Sequence, residues 1–174
     1  AEQKRNFTLV LKGHIALSRL QFLHGLSGVH IDSFAKAPLW EHGLDYRHGT
    51  GHGVGAFLNV HEGPQSISAA VRNEPLLPGM CTTNEPGFYK DGEYGIRIEN
   101  LLLTIEKNQT DYGKFLGFEA LTMCPIDYRL IEPELLSAAE MKWLNDYHKK
   151  VYDNLSPLLD EAEKQWLKTE TQPI

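Results

Sequence analysis

The chain has 174 residues, 41% of them hydrophobic and 23% charged, which suits one compact domain, or a large piece of one, with a real core. Its formal net charge is −6 and its lysines and arginines are scattered, so no phosphate-binding surface is indicated and nucleic acid is excluded as a partner. No apolar stretch approaches the roughly 20 residues that span a bilayer, and the first residues lack the apolar core of a signal peptide, so no membrane association is expected.

In chain order, Phe7, Val10, Leu11, His14 and Leu17 fall at helical spacing and predict an amphipathic helix over 3–21. A second helix is expected from Ile31 to His42, with Ile31, Phe34, Ala35 and Leu39 on one face, Gly43 ending it and Pro38 kinking or shortening it. From Leu44 to Ile126 the pattern changes to short β-rich runs, Ala56–Val60, Met80–Asn84, Tyr94–Ile105 and Phe115–Pro125, which predict a mostly antiparallel sheet. Ser137-Ala-Ala-Glu140 is a capping box that starts a long helix through Leu144, Tyr147, Val151 and Leu155. Ser156-Pro157 reads as the cap and first position of a last helix through Leu158, Leu159, Ala162 and Trp166. Cys81 and Cys124 show neither disulfide-framework nor zinc-finger spacing, so a reducing, cytoplasmic location is expected, and the sequons at Asn6 and Asn108 read as chance.

The chemistry concentrates in two clusters. The first is His48-Gly-Thr-Gly-His52-Gly-Val-Gly, with His61-Glu62-Gly63-Pro64 after it. Glycine beside each imidazole lets backbone approach closely, and His48 and His52, four apart, face the same side of an extended segment. Taken alone this segment also reads as a glycine-rich loop with solvated histidines. The second cluster is Thr83-Asn-Glu85-Pro-Gly-Phe-Tyr89 and Tyr94-Gly-Ile-Arg97-Ile-Glu99-Asn100, joined by Lys90-Asp91-Gly92-Glu93, which has hairpin-turn chemistry. Glu85 and Glu99 are each seven residues from Gly92, so the hairpin sets the two carboxylates opposite each other. Adjacent carboxylates repel unless they share a proton or bind cations, and with a histidine nearby they suit a divalent transition metal. Arg97 and Glu99, two apart, also allow a plain surface ion pair.

Taken together and in this order, HGTGHGVG, NVHEGP, TNEPGFY and GIRIEN resemble the metallopeptidases of the pita-bread fold, and within them the aminopeptidase P family. The resemblance covers essentially the whole chain, including Trp166 to Pro173, which looks like the tail of the three-domain members. It implies an α+β fold, the second half of a pita-bread domain, with 1–126 as catalytic portion and 127–174 as a helical extension. It implies that His52 and Glu85 ligate one metal and that Glu99 bridges two. Manganese is the first expectation for both divalent ions, with zinc or cobalt as alternatives. The family's two aspartate ligands and a further substrate-site histidine have no counterpart here, so the chain reads as an inactive fragment binding at most one ion. In the parent enzyme the resemblance implies that a water activated between the metals attacks the carbonyl before a proline. It further implies that His61 steadies the intermediate, Glu85 carries the proton, and His48, Arg97 and Tyr89 line the proline pocket. The implied protein is a cytoplasmic homodimer that removes the N-terminal residue from Xaa-Pro peptides. A prolidase-like dipeptidase and a silent peptide- or protein-binding module of the same fold are the alternatives.

Overall fold

The structure is a computed structural model that describes residues 1–57, 59–70 and 73–174. By internal contacts the chain forms two units, Val10–Thr122 and, separately, Ala1–Leu9 with Met123–Ile174.

Helix α1 spans Glu2–Ser18. The five apolar-face positions expected for it are buried or half-buried, but so are Asn6, Thr8, Leu9 and Ile15, so the covered surface is wider than a simple amphipathic stripe. Helix α2, Asp32–Trp40, is shorter than the expected 31–42. Pro38 lies within it and can donate no N–H to the preceding turn. Its end closes as a Schellman motif, with Leu44 N–H to Leu39 at 3.0 Å and Gly43 N–H to Trp40 at 3.0 Å.

The strands pair antiparallel throughout, as expected. One sheet runs β1 (Phe22–Leu23), β8 (Gly113–Ala120), β7 (Asn100–Thr110) and β4 (Cys81–Asn84) in spatial order. Two short ribbons complete the unit, β2 (Gly51–His52) with β3 (Ser66–Ile67), and β5 (Gly87–Lys90) with β6 (Tyr94–Arg97). Leu17, Phe22, Ile31, Ile67, Leu76, Leu102, Leu116 and Phe118 form the core beneath these elements. The expected run Tyr94–Ile105 is two strands, because the ladder opens at Ile98 and Glu99.

The strand expected at Ala56–Val60 is not formed by 56, 57, 59 and 60, while position 58 lies outside the described residues. Gly55 N–H reaches the Asn59 carbonyl at 2.9 Å and Glu62 N–H reaches that of Gly53 at 2.9 Å, so the segment folds back as a loop. Phe57 and Val60 stand exposed on it.

In the other unit, helix α3 (Ala138–Leu155) carries the expected capping box, Ser137 and Glu140 each satisfying the other's backbone N–H. Leu144, Tyr147 and Val151 bury its inner face. The last helix, α4 (Glu161–Glu170), does not begin at Ser156-Pro157, which form a short 3-10 turn. Asp160 and Glu163 make a second capping box, and its two hydrogen bonds outweigh the proline signal upstream.

Candidate metal and peptide site

The glycines around His52 are required by space. A Cβ on Gly51 would lie 1.9 Å from the Thr83 carbonyl oxygen, so β2 can press against β4 only without a side chain there. That approach sets His52 beside the Thr83–Glu85 segment: His52 N–H donates to Thr83 Oγ1 at 3.0 Å, and the same hydroxyl donates to Glu85 Oε1 at 2.8 Å. Glu85 N–H turns away from the hairpin to the Thr50 carbonyl at 2.8 Å.

His52 Nδ1–H donates to the Gly53 carbonyl at 3.0 Å, which leaves Nε2 facing Glu85 Oε1 at 3.3 Å. A ring so tied presents a lone pair to a carboxylate oxygen, an arrangement that calls for a proton or a cation between them. Glu85 is buried and its other oxygen lies 3.5 Å from Arg97 Nη1. The ring of His61 lies 4.2 Å from that of His52, centroid to centroid.

Tyr89 is the centre of a second group. Arg97 Nε–H donates to its hydroxyl at 3.0 Å, and the hydroxyl donates to His48 Nε2 at 2.9 Å. His48 Nδ1–H is occupied by the Gly49 carbonyl at 2.8 Å, which fixes this direction of donation. Burial works against the Arg97 charge, but the Tyr89 hydroxyl and the Glu85 and Glu99 carboxylates hold its pKa above the ordinary guanidinium value. A cavity of about 280 Å³ is lined by His48, His52, His61, Glu85 and Arg97 with Gly49 and Gly51. A larger one of about 780 Å³ opens on the histidine side.

Arg97 pairs with Glu85 at 3.5 Å, with Glu99 adding to the field that holds its charge. Glu99 is exposed at the position opposite Glu85, since Asn84 pairs with Asn100 before it and Gly87 with Arg97 after it. Among the described residues no three His, Cys, Asp or Glu side chains converge into a group that could hold an ion. The donors nevertheless suit a divalent cation, with one oriented imidazole nitrogen and two carboxylates on facing strand segments.

Sequence reasoning missed the residues that hold these groups. Thr83 shares a strand face with Glu85 at two-residue spacing, a signal present in the sequence. Thr50 and Tyr46 gave no such signal: the Tyr46 hydroxyl meets Thr50 Oγ1 at 2.5 Å, Thr50 Oγ1 donates to Asp32 Oδ1 at 2.7 Å, and the Tyr46 ring packs 4.8 Å from that of His48. Burial pushes the Tyr46 phenol up, against the pull of its Thr50 hydrogen bond.

Residues 1–106 match the profile of metallopeptidase family M24, and residues 114–174 match that of the C-terminal region of peptidase_M24. The probable Xaa-Pro aminopeptidase P of Coprinopsis cinerea is 54% identical over 99% of this chain and 29% of its own length. Aminopeptidase P2 of Arabidopsis thaliana is 51% identical over 100% of this chain and 25% of its own length. An X-prolyl aminopeptidase from Caenorhabditis elegans, described as a cytosolic enzyme with a di-nuclear active site, matches with a TM-score of 0.92. That match has 41% identity and covers 99% of this chain and 29% of the other. Prolidase from Pyrococcus furiosus matches at 0.59, with 31% identity over 71% of this chain and 33% of its own. The chain therefore spans about a quarter to a third of the length of these relatives.

Proposed function

This chain belongs to metallopeptidase family M24, and from that premise we propose that it carries part of the active site of an aminopeptidase that releases the N-terminal residue from peptides with proline second. Its α+β fold is the pita-bread fold of that family. The observation that carries the reading is the meeting of His52 with Glu85 beside the Tyr89 array of His48 and Arg97.

His52, Glu85 and Glu99 would hold the metal, and two divalent ions, manganese foremost with zinc or cobalt as alternatives, would supply Lewis acidity and an activated water near neutral pH. The Gly53 carbonyl fixes the His52 ring so that Nε2 faces the site. Glu85 accepts the proton of the attacking water at its carboxylate and passes it to the proline nitrogen as the peptide C–N bond breaks. His61 donates a hydrogen bond to the oxygen that gains charge. The face of Tyr89 offers an apolar wall to a proline ring, and His48 and Arg97 hold that phenol in place.

We read 1–126 as the catalytic portion and 127–174 as its helical extension; the separate matches to 1–106 and 114–174 support a division of the chain into two parts, with strand β8 from Lys114 on falling in the second match. A cytoplasmic homodimer is the assembly we propose. The cytosolic description of the Caenorhabditis elegans relative supports the location, and among the described residues no helix is long and apolar enough to cross a membrane.

The test is hydrolysis by the full-length protein of Xaa-Pro peptides of several lengths, before and after exhaustive chelation. Release of the first residue from longer peptides, lost on chelation and restored by manganese, is the expected result. Cleavage confined to dipeptides would move the assignment to a dipeptidase, and undiminished activity after chelation would overturn the metal-dependent reading.

A further inference from the structure

We propose that His14, on helix α1, is a positioning residue that clamps the two strand segments carrying Glu85 and Glu99 and so sets the spacing of these carboxylates. The inference rests on the reading of both as metal ligands.

His14 is fully buried, and its ring meets the backbone of Asn84 and of Ile98, the residues just before the two glutamates. Its Nε2–H donates to Asn100 Oδ1 at 2.7 Å, on the residue just after Glu99. In return Asn84 Nδ2 donates to the His14 carbonyl and to Ser18 Oγ, both at 3.0 Å. Asn100 Nδ2 donates onward to Thr122 Oγ1 at 2.7 Å. One helix thus grips both sides of the hairpin.

This grip falls where the ladder is weakest. Asn84 and Asn100 form the last pair of β4 and β7, and β5 and β6 resume at Gly87 and Arg97. Between them Glu85 N–H goes to Thr50, and Ile98 N–H reaches the Pro86 carbonyl at 3.3 Å. The segments bearing the carboxylates therefore lack a regular ladder, and the buried polar cluster constrains them in its place. Two buried asparagines and a histidine carry a desolvation penalty that their hydrogen bonds offset. Burial holds the imidazole pKa down to about 4 against the pull of Asn100, so near neutral pH the ring is an uncharged donor and not a proton carrier.

The experiment compares His14→Leu, His14→Gln and Glu99→Gln in the full-length protein. Manganese affinity is measured by calorimetry well below each melting temperature, and kcat and KM are measured at saturating manganese. His14→Leu is expected to weaken manganese about ten- to a hundred-fold and to lower kcat with KM little changed. His14→Gln, which keeps a donor near Nε2, is expected to recover most of both. Unchanged affinity and kcat in His14→Leu, with only a lower melting temperature, would overturn the proposal. Should His14→Leu not fold, Thr122→Val removes at an exposed position the hydroxyl that accepts from Asn100 and from the Leu101 N–H: weaker manganese binding supports the clamp and unchanged binding overturns it. Full manganese affinity in Glu99→Gln would remove the ligand assignment and the inference with it. Loss there beside an unaffected His14→Leu removes the inference alone.

Discussion

His61 is exposed and meets the site through its ring contact with His52, so its expected part is donation to the reacting oxygen. His61→Ala in the full-length protein is expected to lower turnover about 100-fold or more with metal content unchanged, as kinetics and elemental analysis would show. Loss of metal in that variant would make His61 a ligand instead. His14 bears on stability as well. Its folded pKa of about 4 lies below the ordinary 6.5, so the unfolded chain takes up a proton that the folded chain refuses. The stabilisation is present above pH 6.5 and lost as the pH falls toward 4, with an upper size of about 3 kcal/mol. Melting temperatures of the metal-free full-length protein should fall across that range, and His14→Gln should flatten the slope; equal slopes would refute this. The motifs holding His48, His52, His61, Glu85, Tyr89 and Arg97 stood out in the sequence by glycine alternation and a turn signal, but the parts given to these residues came from the family resemblance alone. Thr50 and Tyr46 were not, since their roles arise only when the segment folds against α2 and Glu85.

At the scale of elements, what could be read followed from how local the signal was. The box at Ser137 fixes the start of α3 by hydrogen bonds within four residues, and it held. Asp160-Glu161-Ala162-Glu163 is the same device, but the conspicuous Ser156-Pro157 drew the expected start of α4 upstream of it. Ala56–Val60 looks like a strand by composition, yet the bonds from Gly55 N–H to the Asn59 carbonyl and from Glu62 N–H to the Gly53 carbonyl close a loop that no residue-by-residue propensity contains. The two-residue strands β1, β2 and β3 were invisible for a related reason: they exist only through partners 14 to 94 positions away, as in His52 with Ser66 and Phe22 with Leu116.

For the whole molecule, this chain would supply one imidazole and two carboxylates to the metal centre, and their relative placement depends on pairing along the entire stretch from Cys81 to Leu103. The rung Cys81 with Leu103 and the rung Lys90 with Tyr94 belong to one unbroken register, even though the ladder opens between them at the carboxylates. Register in such a hairpin is decided at its tip, where Gly92 turns the chain with φ of +72°. The tip is thus a length standard for a site it does not touch. Adding or removing one residue there, with the strands sliding to match, would carry Glu99 from the face of Glu85 to the opposite one without altering any donor. Deleting Gly92 in the full-length protein should therefore cost at least about tenfold in manganese affinity by calorimetry. One residue inserted after Asp111, in the other hairpin, should leave the affinity intact. Equal affinity in the Gly92 deletion would mean that the strands are held in step from the His14 side, and that the turn merely follows.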